Sequence, residues 1–215
     1  MQRFNLIDNL YVYPTPGGAY HAISAADQDP PRQFLRALMQ YDTTPELTME
    51  RIQEWTGLSD EQQASELVHR AQRLLWIQGL TSAISCPDEP LEEILPGMLS
   101  SLTDNGKVLL ADSQGFYLAA SGFPHEVAEE LSALSADLAS LTERRSGVLT
   151  HNMGLGSSAW GLVDASGCSH VGFWPLHIGK QRFVLVVSGI PRLNQPEFVN
   201  LVWTLSMRYA PSTLS

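Results

Sequence analysis

The sequence predicts an α+β chain in two parts, a mostly helical stretch over residues 1–86 and a strand-rich stretch over residues 90–211. Three observations carry this. Helix start signals followed by apolar residues at 3.6-residue spacing recur between Asp29 and Gly79. The segment Ser85-Cys86-Pro87-Asp88-Glu89-Pro90 then breaks both periodicities with two prolines and two acids. Beyond it, five strand-length apolar runs surround one long helical stripe.

The first element, Asn9 to Ile23, reads as a hairpin: an apolar-aromatic run, the breaker Pro14-Thr15-Pro16-Gly17-Gly18, and a second short run. Its two prolines confine the first strand to an edge. Three helices are expected next. Asp29 before Pro30-Pro31 starts one, with Phe34, Leu35 and Leu38 as its apolar face. Thr44-Pro45 starts another around Leu47, Met49, Ile52 and Trp55, and Gly57 stops it. The capping box Ser59-Asp60-Glu61-Gln62 opens the third, with Ala64, Leu67, Val68, Ala71, Leu74 and Leu75 on one face and an end at Gly79. Helix, glycine turn, helix and an apolar hairpin outline a winged-helix-like domain. The would-be recognition helix opens with Asp60, Glu61, Gln62, Gln63 and Glu66, and only Arg70 and Arg73 follow, so a protein contact suits it better than a major groove.

In the second part, Leu91, Ile94, Leu95, Met98, Leu99 and Leu102 form a helical stripe that Pro96-Gly97 is expected to bend or shorten. Val108–Ala111 and Phe116–Ser121 are strands joined by Asp112-Ser113-Gln114-Gly115, in which Asp and Gly take their favoured type I turn places. No histidine or second carboxylate lies close by in sequence, so Asp112 is read as bonding turn amides. A long helix follows from Pro124 to about Arg145. Val127, Leu131, Leu134, Leu138 and Leu141 are its core stripe, and Ala128, Ser132, Ser135, Ala136, Ala139 and Ser140 form a small-residue face. That face suits either the chain's own sheet or an identical helix across a two-fold axis. Strands at 159–164, 171–178 and 182–188 and a helix from about Gln195 to Tyr209 complete the order.

Residues 91–210, and above all VLLADSQGFYLAASGFPHEVAEELSALSADL at 108–138, resemble the roadblock / dynein light-chain family. The resemblance implies a five-stranded antiparallel sheet sandwiched by helices. It also implies a homodimer formed through the long middle helix and the third strand, with a small Ras-like GTPase or another signalling protein as partner. Carried over by position, the dimer interface falls on Ala128, Ser132, Ser135, Ala136 and Ala139 and on the strand bearing Ala159, Gly161 and Val163. The Pro96-Gly97 step and the glycine-rich loop at 151–158 depart from the family pattern.

Bulk chemistry narrows the class. The 215 residues carry 13 basic and 23 acidic groups, a net charge of −10, and the deficit is even along the chain. With no basic cluster, nucleic acid is an unlikely partner. Cys86 and Cys168 stand apart, which suits a reduced, cytoplasmic setting, and no apolar run reaches the length of a membrane span. The loop Met153–Ser158 lacks the Gly-Lys-Ser/Thr ending of a phosphate loop. His170 and His177, seven apart, fall on opposite faces of a strand, so neither they nor His151 imply a metal. Arg144, Arg145 and Arg192 are the candidates for contact with a GTPase. Trp55, Trp76, Trp160, Trp174 and Trp203 are read as core. The expectation is a non-enzymatic, cofactor-free scaffold. A transcriptional regulator with a sensing carboxyl-terminal domain is the alternative.

Overall fold

The computed structural model describes residues 10–148 and 158–210. The amino-terminal part runs β1 (Tyr11–Pro14), α1 (Pro16–Ile23), α2 (Pro30–Leu38), α3 (Met49–Thr56), α4 (Glu61–Arg73) and β2 (Ile77–Leu80). The rest runs α5 (Leu91–Ser100), β3 (Val108–Ala111), β4 (Tyr117–Ser121), α6 (His125–Ser146), β5 (Trp160–Val163), β6 (Ser169–Ile178), β7 (Gln181–Ser188) and α7 (Pro196–Tyr209).

Three amino-terminal expectations change. The stretch read as a hairpin holds one strand and one helix: Thr15 caps α1 by accepting from the Gly18 amide, and Pro16 takes the first helical position. The strand partner of β1 is β2, more than 60 residues on, in antiparallel register from Tyr11↔Leu80 to Pro14↔Ile77. Helix α3 starts at Met49 behind Thr48, not at Thr44-Pro45, because the Val12 amide takes the Pro45 carbonyl and Tyr11 bridges Glu46. That draws Pro45 and Glu46 out alongside β1, while Thr43 and Thr44 pair with Ser85 and Ile84. The third helix is capped by Asp60, one residue beyond the expected Ser59, and ends at Arg73.

The carboxyl-terminal sheet has order β4-β3-β7-β6-β5, and every recorded pairing is antiparallel. Alternation sorts its side chains. Val108, Leu110, Leu185 and Val187 join a core with α5 and α7, whereas Leu109, Ala111, Val184 and Val186 meet α6 on the other face. Helix α5 runs unbroken through Pro96. Asp112 behaves as its position predicts, its Oδ1 accepting from the amides of Gln114 (2.8 Å) and Phe116 (3.0 Å). Pro175 sits in β6 past the last residue that pairs with β5, where no ladder donor is required of it.

The two parts share one buried core. Eight residues of α7 from Phe198 to Ser206 are buried, between the sheet and the amino-terminal helices. Trp203 Nε1 donates to the Tyr41 carbonyl at 2.8 Å, the Tyr13 and Trp203 rings lie 5.6 Å apart, and the Tyr13 hydroxyl donates to Asn200 Oδ1 at 3.1 Å. Burial, with a smaller contribution from Cys86, pushes the Tyr13 phenol up to about 12.

Candidate functional site

Helix α6 presents the largest departure from expectation. Ala128, Ser132, Ser135 and Ala139, assigned above to a dimer interface, are at most 3% exposed and lie inside the chain. Ala128 and Ala139 pack with Leu109, Ala111, Phe173, Val184 and Val186, so the small face fits beneath a sheet whose own residues are large. The hydroxyls of Ser132 and Ser135 return to the helix carbonyls of Ala128 and Ser132, each at 2.7 Å, which lets them be buried without other partners. The β3–β4 turn also presses on this helix, since a Cβ on Gly115 would stand 3.1 Å from Ala133 Cα. Ala136 is half-buried beside it. Ala128, Ser132, Ser135 and Ala139 cannot also meet a second copy, whereas Ala136 keeps part of its surface.

The stripe read as core is divided: Leu131 and Leu138 pack against the core that α6 shares with the sheet, and the other three face outward. Val127 (39%), Leu134 (38%) and Leu141 (37%) are exposed, and Leu131 and Leu138 are half-buried. The steps between them alternate four and three residues, the spacing of a helix that packs on another helix. That alternation was present in the sequence and was the signal to follow. The stripe leans toward the β5 side of the sheet: Thr142, next to it on the helix, accepts from Trp160 Nε1 of β5. β5 is an edge strand, with Leu162 and Val163 exposed at 49% and 63% and Gly161 also exposed. Helix stripe and strand edge together form an apolar surface, with the outer backbone edge of β5 unpaired among the described strands.

The predicted contact arginines do not form one site. Arg144 and Arg145 are exposed on the last turn of α6, near the start of β7, where Arg182 pairs with Glu143 at 2.6 Å. Arg192 is exposed beyond the far end of β7, a strand of eight residues spanning roughly 25 Å.

Other polar groups serve turns. Asp164 Oδ1 accepts from the Ser166 hydroxyl and the amides of Ser166 and Cys168, and His170 Nε2 lies 2.9 Å from its Oδ2. Those bonds hold the carboxyl well below the usual carboxylate range, the Ser166 hydroxyl first among them. His177 lies in β6 opposite Arg182, and burial lowers its basicity. Among the described residues no group of three or more His, Cys, Asp or Glu is placed to hold a metal. His151 and nearly all of the glycine-rich loop fall outside the described residues. Trp203 and Trp55 are buried as expected, and Trp76, Trp160 and Trp174 are half-buried. No described helix is long and apolar enough to cross a membrane.

No family model matches the chain, and no curated protein matches it. Solved structures similar to it include a Roadblock/LC7 domain from Streptomyces avermitilis, at 12% identity and a TM-score of 0.35, covering 56% of this chain and 93% of that one. MglB of Myxococcus xanthus is similar at 19% identity and a TM-score of 0.33, covering 57% of this chain and 95% of that one. At these scores the fold assignment rests on the chain's own strand order and on helices covering both faces of the sheet. Residues 91–209 have the roadblock-like arrangement that the 108–138 stretch implied.

Proposed function

We propose that this chain is a non-enzymatic regulatory scaffold that acts as a homodimer and binds a small Ras-like GTPase or another signalling protein. The observation that carries the dimer is the set of exposed Val127, Leu134 and Leu141, with half-buried Leu131 and Leu138 between them, beside the open β5 edge of the described sheet. A second copy covers both together, helix on helix and strand on strand, which removes the edge and the apolar surface at once. Charge favours antiparallel helices. Glu126, Glu129 and Glu130 begin α6 and Glu143, Arg144 and Arg145 end it, with Glu143 paired to Arg182. Antiparallel pairing therefore brings an acidic turn against one with two arginines, and parallel pairing sets acids on acids and arginines on arginines. With the two-fold axis near Ala136, Leu131 faces Leu141 and Leu134 faces Leu138. The interface thus moves from the small face to the leucines, while Gly161 and Val163 on β5, and Ala159 just before it, stay in the proposed interface.

The GTPase rests on the resemblance of residues 108–138 and on the rigid two-sided platform that such a dimer offers. DNA binding is disfavoured by the exposed Glu61, Gln62, Gln63 and Glu66 at the start of α4. Sedimentation velocity tests the dimer. The wild-type chain should travel at about 47 kDa, twice 23.7 kDa, and the Leu134→Glu/Leu141→Glu variant at about 24 kDa with unchanged circular dichroism. A wild type that stays at one subunit at high micromolar concentration refutes the reading. For the partner, GTP hydrolysis by Ras-like GTPases of the same genome is measured with and without the chain. No change in hydrolysis and no binding to any of them removes the GTPase.

A further inference from the structure

Helix α4 closes with a geometry that glycine usually supplies and that this chain gives to leucine. The Leu75 amide bonds the Gln72 carbonyl at 3.0 Å and the Trp76 amide bonds the Ala71 carbonyl at 2.9 Å, the paired bonds of a Schellman closure with Leu75 in the left-handed place. Leu75 has φ +56°, the one positive value at a non-glycine among the described residues. A Cβ in that conformation crowds the next carbonyl. Burial does not repay the strain, because Leu75 is 74% exposed and Leu74 47%. Contacts from outside the helix hold it. The Thr15 amide donates to the Trp76 carbonyl at 2.9 Å and the Thr15 hydroxyl to the Leu75 carbonyl at 2.5 Å. Gly18 leaves room for the Trp76 carbonyl, which would stand 1.9 Å from a Cβ. The β1–α1 corner therefore clamps a costly backbone whose visible product is two leucines in water. Glycine at position 75 would close the helix with less strain.

The charge along the segment that carries these leucines contrasts with the rest of the chain. No Asp or Glu occurs between Glu66 and Asp88, although the chain holds 23 of them. Arg70 and Arg73 are exposed on the last turn of α4, and neither is in an ion pair among the described residues. The geometry points to Leu74 and Leu75 as a docking knob that enters an apolar pocket edged by carboxylates on a partner protein. A lipid surface fits less well, since a chain of net charge −10 is repelled by anionic headgroups. The buried apolar residues of α4 and of α6 belong to separate core clusters and the knob needs no second copy, so it stands or falls apart from the dimer.

The test starts from the full chain carrying Leu75→benzoylphenylalanine, irradiated in the cells that make it. The protein that becomes joined to it is purified, and its affinity for wild type, Leu75→Gly and Arg70→Glu/Arg73→Glu is measured by calorimetry across a salt series. The expected result is an acidic protein that binds Leu75→Gly and the arginine variant each at least about tenfold more weakly. The arginine loss should shrink as salt rises. Leu75→Gly should itself melt about 2–4 °C above wild type, because it relieves the left-handed strain. Absence of a joined protein, equal affinity for Leu75→Gly, or a Leu75→Gly that melts no higher would overturn the proposal. So would Leu75-dependent sedimentation of the chain with phosphatidylcholine–phosphatidylserine vesicles.

Discussion

Gly17 and Gly18 are neighbours in the first turn of α1, and replacing each by alanine should move stability in opposite directions. At Gly18 the new Cβ would lie 1.9 Å from the Trp76 carbonyl oxygen and 2.8 Å from its carbon, where ordinary contact begins near about 3.5 Å. The obstacle is backbone, so α1 must move away from the start of β2 by more than about 1 Å. Two bonds from Thr15 cross that gap, to the Trp76 and Leu75 carbonyls. Losing them costs about 1 kcal/mol each, and residual crowding adds about 1–3 kcal/mol. The better helix propensity of alanine returns about 1 kcal/mol. Gly18→Ala is therefore expected to destabilise by about 2–4 kcal/mol, a fall in Tm of roughly 10 °C for a chain this size. At Gly17 the nearest atom to a Cβ is Thr15 Oγ1 at 3.8 Å, an ordinary contact. Gly17→Ala should raise stability by up to about 1 kcal/mol. Thermal and urea denaturation followed by circular dichroism read both. A Gly18→Ala protein as stable as wild type would refute the close approach of α1 to β2, and with it the clamp on Leu75.

Raising pH should weaken the fold through Tyr13. Its phenol, near 10 when unfolded, is pushed up to about 12 by burial, so its contribution is whole below pH 10 and is lost as pH climbs through 12. The loss is about 2 kcal/mol, and Tyr13→Phe should flatten the stability profile between those values; an unchanged slope would reject the assignment. Trp203→Phe removes the donor to the Tyr41 carbonyl at a site 1% exposed, and should cost about 3 kcal/mol by urea denaturation. Because the core runs from Val12 through Leu205, wild type and this variant should each unfold in one transition, and two separate transitions would refute a shared core.

The sequence by itself determined what local rules decide. Asp29 and Pro30 start a helix where their spacing says, the Asp112–Gly115 tetrad turns, and the order of five strands and three helices beyond Pro90 is the order that forms. Such features depend on bonds within a few residues or on periodicity along one element. Tertiary structure decided the questions that have two locally acceptable answers. Pro14–Gly18 chemistry fits a hairpin turn or a helix start equally, and a strand more than 60 residues away settled it by pairing with β1 and leaving Thr15 to cap α1. Thr44-Pro45 offers a helix start, but β1 claims the Pro45 carbonyl first. Helix α6 has two faces that each suit burial, and the bulk of Phe173, Leu109, Val184 and Val186 on the sheet chose the small one. Periodicity shows that a stripe exists. The volume of what lies opposite decides whether that stripe packs inward or is left for a partner.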